Sequence, residues 1–121
     1  MENQQSEASL PLADIADFMA LDIRVGRIVK AELNEKAIKP AYKLFLDFGE
    51  EIGQKQSSAQ ICQNYSISDL EGLEVLAVIN FPPRRVAGFK SEVLVLAAVC
   101  PEKGTVLIRP ERDVTLGCRM L

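Results

Sequence analysis

A chain of 121 residues, 48% hydrophobic and 26% charged, is long enough for one sustained core and too apolar for a disordered segment. Its formal net charge of −3 excludes indiscriminate polyanion binding, which needs a basic whole-chain balance, and leaves a local basic face reading a shaped RNA. With no histidine and only Cys62, Cys100 and Cys118, widely spaced, the sequence predicts no histidine catalysis, metal site, cofactor or disulfide framework, and reduced thiols in a cytoplasm.

The N-terminal Met-Glu-Asn-Gln-Gln-Ser-Glu lacks a basic n-region and an apolar h-region, which predicts no signal peptide. No stretch approaches the length of a membrane span, so no membrane insertion is expected. Residues 1–12 read as a flexible polar extension and 13–121 as a single domain. Pro11 opens a short helix, Leu12 to Ala20, whose Ile15, Phe18 and Met19 fall on one face at i, i+3, i+4 spacing. That face needs a partner, either the domain itself or a second chain.

Asp22 to Glu32 is the first predicted strand: Ile23 and Val25 alternate with Arg24 and Gly26 until Ile28 and Val29 break the phase. A phase slip beside a glycine predicts a bulge or sharp bend, and a bent strand can serve two sheets. Asn34 to Ala41 is a loop carrying Lys36 and Lys39. In the second strand Tyr42, Leu44, Leu46 and Phe48 alternate with Lys43, Phe45 and Asp47, as in a half-buried strand. Gly49 to Gly53 turns into a third strand, Gln54 to Ile61, unusually polar at Lys55, Gln56, Ser57, Ser58 and Gln60. Ser66 N-caps one helical turn, with Asp69 at the capping-box position and Gly72 as its stop.

Leu73 to Phe81 and Val93 to Val99 are apolar runs that read as strands buried on both faces. Pro101 to Gly104 is a turn, Thr105 to Arg109 the last clear strand, and the irregular tail carries Val114, Leu116, Met120 and Leu121. Short strands, a bent first strand and one brief helix after the third predict an all-β fold. The natural candidate is a five-stranded Greek-key OB-fold barrel with a short N-terminal helix and a C-terminal extension; such barrels bind oligonucleotides on one face.

Asn80 to Val93 separates the two apolar runs and reads Asn-Phe-Pro-Pro-Arg-Arg-Val-Ala-Gly-Phe-Lys-Ser-Glu-Val. Pro82 and Pro83 end the strand and stiffen the segment beyond it, and Gly88 permits a turn. The expectation is a rigid cationic loop presenting Arg84, Arg85 and Lys90, with Phe81 and Phe89 either stacking on unpaired bases or anchoring the loop in the core. Gly88-Phe89-Lys90-Ser91 fails the phosphate-loop pattern, because its glycine does not directly precede the lysine. Ser91 has no base partner and Glu92 no second carboxylate nearby in sequence, so no catalytic constellation is expected. Glu92 is expected to orient an arginine or accept a hydrogen bond from a base.

Three co-linear stretches carry a family resemblance: Asp22-Ile23-Arg24-Val25-Gly26, Lys55-Gln56-Ser57-Ser58-Ala59-Gln60-Ile61, and the segment Asn80 to Val93. Together they resemble the tRNA-binding domain family, found as an appended domain of methionyl- and phenylalanyl-tRNA synthetases, and within it the stand-alone CsaA-type group described as export-related chaperones. The resemblance implies an OB-fold that binds tRNA through Lys55, Ser57, Ser58, Gln60, Asn80, Arg84, Arg85, Lys90, Ser91 and Glu92. It implies a homodimer sealed through Ile15, Phe18, Met19, Leu116 and Met120. Unfolded or signal-containing polypeptides are the second class of partner it implies.

Overall fold

The computed structural model describes residues 10–121; the predicted extension lies outside the described residues over its first nine positions. Helix α1, Ile15–Met19, is shorter than expected. It starts after Asp14 rather than at Pro11, because the Asp17 carboxylate accepts from the Asp14 N–H at 3.0 Å and fixes the first turn there.

Strand β1, Ile23–Leu33, is the spine of the sheet. Its first half pairs with β4, Glu74–Val78, from Ile23↔Val78 to Arg27↔Glu74. Its second half pairs with β2, Tyr42–Asp47, from Arg27↔Asp47 to Leu33↔Tyr42. One strand serving two neighbours needs the predicted bend, but the register slips between Ile28 and Lys30, at Val29 and not at the glycine. Gly26 has another reason to be there. A Cβ at that position would lie 2.6 Å from the Phe48 ring, so its absence admits the largest fully buried side chain of the core.

Strand β3, Gln54–Ala59, pairs with β2 from Tyr42↔Ala59 to Asp47↔Gln54. Helix α2, Ile67–Leu70, is capped as its sequence predicts: Asp69 N–H donates to Ser66 Oγ at 3.3 Å and Ser66 N–H to Asp69 Oδ2 at 2.9 Å. The Ser66 backbone N–H holds the Asp69 carboxyl below the usual carboxylate range. Leu70, fully buried, joins Ile28, Leu44, Leu46, Phe48 and Val75 in the main core.

The chain continues through β5 (Arg84–Val86), β6 (Phe89–Ser91), β7 (Leu94–Val95), β8 (Ala97–Cys100) and β9 (Gly104–Leu107). The main sheet runs β3-β2-β1-β4-β7 and rolls into a nearly closed antiparallel barrel of the OB type. Every residue of β4 is buried, as its apolar run requires. The run from Val93 to Val99 departs from expectation: Val93 is buried, but Leu94 is exposed and Val99 is 81% exposed. At Leu96 the chain changes partners. Its N–H donates to Leu76 O while its carbonyl accepts from Ile108 N, so β7 belongs to the main sheet and β8 pairs with β9 in a separate hairpin whose Leu107 reaches into the main core.

The tail is less irregular than it reads. Gly117 and Met120 N–H groups donate to Val25 O and Ile23 O at 2.8 Å, and Val25 N–H donates to Cys118 O at 2.9 Å, laying the tail along β1. The buried Glu74 carboxylate accepts from Val114 N–H at 3.1 Å and from Arg27 at 2.9 Å, which fixes the approach to it. Leu116 and Met120 therefore pack with Phe18 and Leu21 on a second apolar cluster of Ile23, Val25, Leu76 and Val78. Of the side chains expected at a dimer surface, Phe18, Leu116 and Met120 are half-buried against their own chain, while Ile15 and Met19 are exposed, as are Leu10, Leu12 and Leu121. Among the described residues, no helix is long and apolar enough to cross a membrane.

Candidate nucleic-acid interface

The cationic segment after Pro82 and Pro83 is a hairpin rather than a loop. β5 and β6 pair through Arg84↔Ser91, Arg85↔Lys90 and Val86↔Phe89, and Ala87 (φ 50°) with Gly88 (φ 83°) turns between them. Two consecutive positive φ values are what a tight two-residue hairpin turn requires. The Arg85 guanidinium closes the turn by donating to Gly88 O at 3.2 Å.

Four bonds fasten this hairpin and the residue after it to β3. Glu92 N–H donates to Gln56 O at 2.8 Å, and Gln56 N–H donates to Glu92 Oε1 at 3.2 Å. Gln56 Nε2 donates to Lys90 O at 2.8 Å, and Ser58 N–H to Ser91 Oγ at 3.0 Å. Beneath the turn, Phe89 meets Phe45 edge to face at 5.9 Å, and the Asn34 amide, buried, donates to Val86 O at 3.3 Å. The backbone of the arm is therefore fastened to the barrel, and Arg84, Arg85 and Lys90 project from it exposed.

Two packed rings with a lysine over each form a row across the outer face of the sheet. Lys30 Nζ sits 5.4 Å from the Phe45 centroid, and Lys43 Nζ sits 5.5 Å from that of Phe89. Glu32 pairs with Lys30 at 2.8 Å, and this hydrogen bond raises the ammonium pKa and lowers that of the carboxyl, so both are charged at neutral pH. Beside the row lies a cleft of about 240 Å³ between β3 and the hairpin, whose walls include Ser58, Phe81, Arg84, Ser91, Glu92 and Leu94. Such a cleft joins an aromatic wall, a guanidinium, hydroxyls and a carboxylate within reach of one unpaired base.

Five residues singled out in the sequence thus converge on one cleft, but others do different work. Ser57 is fully buried and donates to the neighbouring Ser58 O at 3.3 Å; strand alternation turns it into the core, so it cannot contact RNA. Asn80 has both ends of its amide occupied, accepting from Asp22 N–H at 2.9 Å and donating to Ala20 O at 2.8 Å, so it clamps α1 to β4. Glu92 bonds the β3 backbone rather than an arginine. Phe89 anchors the hairpin, whereas Phe81 is 42% exposed at the cleft. Lys55, half-buried, stands opposite Leu46, and Gln60 lines a different cavity, together with Arg84 and Val86. Gln56, one of the polar residues noted on this strand, bonds the hairpin instead; sequence reasoning missed Lys30, Lys43 and Phe45. The signal for two of them was present: Lys43 and Phe45 alternate with the core residues of β2 and must face outward.

Elsewhere, burial pushes the Cys62 thiol and the Tyr42 phenol up, so both stay protonated at neutral pH and neither is an activated nucleophile. Among the described residues no cluster of acidic and cysteine side chains could hold a metal.

OB-type barrels form a class of domain that includes many oligonucleotide binders. The chain belongs to the tRNA-binding domain family: residues 23–119 match the family described as "Putative tRNA binding domain". It is 40% identical over 106 residues to the methionine–tRNA ligase of Archaeoglobus fulgidus, covering 88% of this chain and 16% of the ligase. With that of Methanococcus vannielii it shares 31% over 118 residues, covering 97% of this chain and 17% of the ligase. The chain thus spans a small fraction of these relatives' length. Among solved structures, the CsaA chaperone of Bacillus anthracis is 47% identical with a TM-score of 0.86, covering 92% of this chain and 100% of the other. The CsaA chaperone protein of Picrophilus torridus is 43% identical (TM-score 0.84; 91% and 100% covered), and a MetRS-related protein of Pyrococcus horikoshii 26% identical (0.82; 93% and 100%).

Proposed function

We propose that this chain is a non-catalytic tRNA-binding protein of CsaA type that works in the cytoplasm and grips structured RNA with the β5–β6 hairpin and the outer face of β1–β3. The observation that carries this reading is the convergence of Ser58, Phe81, Arg84 and Ser91 on one cleft beside the Lys30–Phe45–Phe89–Lys43 row. The cations meet phosphates, Phe81 stacks on an unpaired base, and Ser58 and Ser91 supply polar contacts to its edge or a 2′-hydroxyl. The net charge of −3 keeps the rest of the surface from binding RNA indiscriminately.

The test is a tRNA titration at several salt concentrations. Each phosphate contact contributes about 0.7 to 0.9 unit to the slope of log K against log salt. Arg84→Ala, Lys90→Ala and Lys43→Ala are each expected to flatten that slope by nearly one contact, with circular dichroism unchanged. Unchanged slopes in all three would overturn the reading.

A second reading, an export-related chaperone that binds preproteins, is supported by the likeness to CsaA chaperones and by apolar side chains left exposed at Leu94, Val99 and Val106. Polypeptide capture through apolar surface responds weakly to salt, which separates it from RNA binding.

A further inference from the structure

The barrel has an open seam. β3 and β7 are the two edges of the main sheet, and the roll of the sheet brings them face to face. They are stitched at one end, where Glu92 and Val93 N–H groups donate to Gln56 O at 2.8 and 3.3 Å and Ser58 N–H donates to Ser91 Oγ. Past Ser58, no hydrogen bond joins β3 to β7 or β8 among the described residues, and a cavity of about 360 Å³ stands where a ladder would run. Ser58 N–H points across the seam, so by strand geometry its carbonyl does too, and among the described residues it accepts the Ser57 hydroxyl alone, at 3.3 Å. β3 ends one residue later, at Ala59, so the free edge is the Ser58 carbonyl and the residues that follow the strand, a short template for another extended backbone.

The facing wall suits a strand. Val95, Ala97 and Val99 line the cavity at alternate positions, the spacing at which one side of an added strand presents its side chains. Arg84 lines this cavity, and Gln60 and Val86 line both it and an adjoining pocket of about 490 Å³ whose walls include the exposed Ile38 with Lys36 and Lys39. Among the described residues no carboxylate lines either cavity, so the charged side chains along both, Arg84, Lys36 and Lys39, are cationic. Among the described residues no aromatic side chain lines either one, so the stacking platform that single-stranded RNA needs is not among them.

We propose that the seam takes an extended polypeptide as an added strand, with small apolar residues at alternate positions and acidic residues at its ends. This rests on the polypeptide reading above and assigns it a place and a sequence preference. Arg84 lines both this groove and the RNA cleft, so the two ligands compete.

The experiment measures fluorescence anisotropy of three short acetylated, amidated peptides with the full chain. One has alternating Ala and Val flanked by Asp, one has the same centre flanked by Lys, and one is Asp-flanked with prolines that remove backbone donors. Tightest binding is expected for the first, and loss for the proline peptide. Val99→Glu, at a position exposed enough to leave folding intact, is expected to weaken the first at least about tenfold while tRNA affinity stays within twofold or so. The double variant Lys36→Glu, Lys39→Glu is expected to weaken it by about threefold per lysine and to favour the Lys-flanked peptide instead. Equal binding of all three peptides, or an unchanged Val99→Glu protein, overturns the seam as the site; so does a Val99→Glu change that lowers RNA affinity and spares the peptide. A reduced, carboxymethylated unfolded protein serves as the separating arm. If it binds while the peptides ignore the variants, the chaperone reading stands and the seam falls; if it does not bind, both fall.

Discussion

At the scale of single residues, the sequence carries composition and spacing but not the side of the strand on which a polar residue lands. Ser57 and Ser58 are adjacent, alike and equally plausible as RNA contacts in the chain, yet one is fully buried and the other lines the cleft. The phase was readable from the far side of β2: Leu44, which faces the core, pairs with Ser57, and Lys43, which faces out, pairs with Ser58. Asn80 was not readable, because its two partners lie near residue 20 and only the fold brings them within reach. Gly26 shows the same limit, since its neighbour Phe48 is distant in sequence. Replacing Gly26 with Ala places a Cβ 2.6 Å from a ring that is itself fully buried and cannot swing aside. Overpacking of this kind is expected to cost about 1–3 kcal/mol, read as a fall in urea midpoint. A midpoint equal to wild type would mean the core yields more easily than its packing indicates.

At the scale of elements, strands with clean alternation are legible in the sequence and those that change partners are not. β2 and β4 follow from period and apolar content alone. β7 and β8 read as one buried strand because hydropathy records apolar residues but not the switch at Leu96 from one ladder to another. The β5–β6 hairpin reads as a loop for a related reason: Ala87 is not a residue that announces a tight turn, and it sits at φ 50°. An L-residue with a Cβ is strained there, whereas asparagine tolerates that region and Asn-Gly is the favoured pair for such turns. Ala87→Asn is therefore expected to raise stability by about 0.5–1 kcal/mol, with the denaturant slope unchanged and RNA affinity equal or tighter. A lowered midpoint would indicate that the turn is held by its neighbours, among them Asn34, against its own preference.

At the scale of the whole molecule, the barrel class and the family were legible because three separated motifs fall in order along one chain, while the fate of the apolar ends was not. The tail and Phe18 cover the molecule's own second cluster, leaving Ile15, Met19, Leu10, Leu12 and Leu121 as the exposed apolar surface at that end. If a homodimer forms there, Ile15→Asp with Met19→Asp is expected to halve the mass seen by light scattering with the barrel intact, since neither residue is buried. An unchanged mass would place any dimer contact elsewhere. The central claim is that RNA is held by the hairpin and the outer face of β1–β3. Backbone amide chemical shifts recorded during a tRNA titration test it most directly. The largest changes are expected at Lys30, Lys43, Phe45, Ser58 and through Phe81 to Ser91, suppressed by high salt. Changes concentrated on β8, β9 and α1, with the hairpin silent, would contradict it.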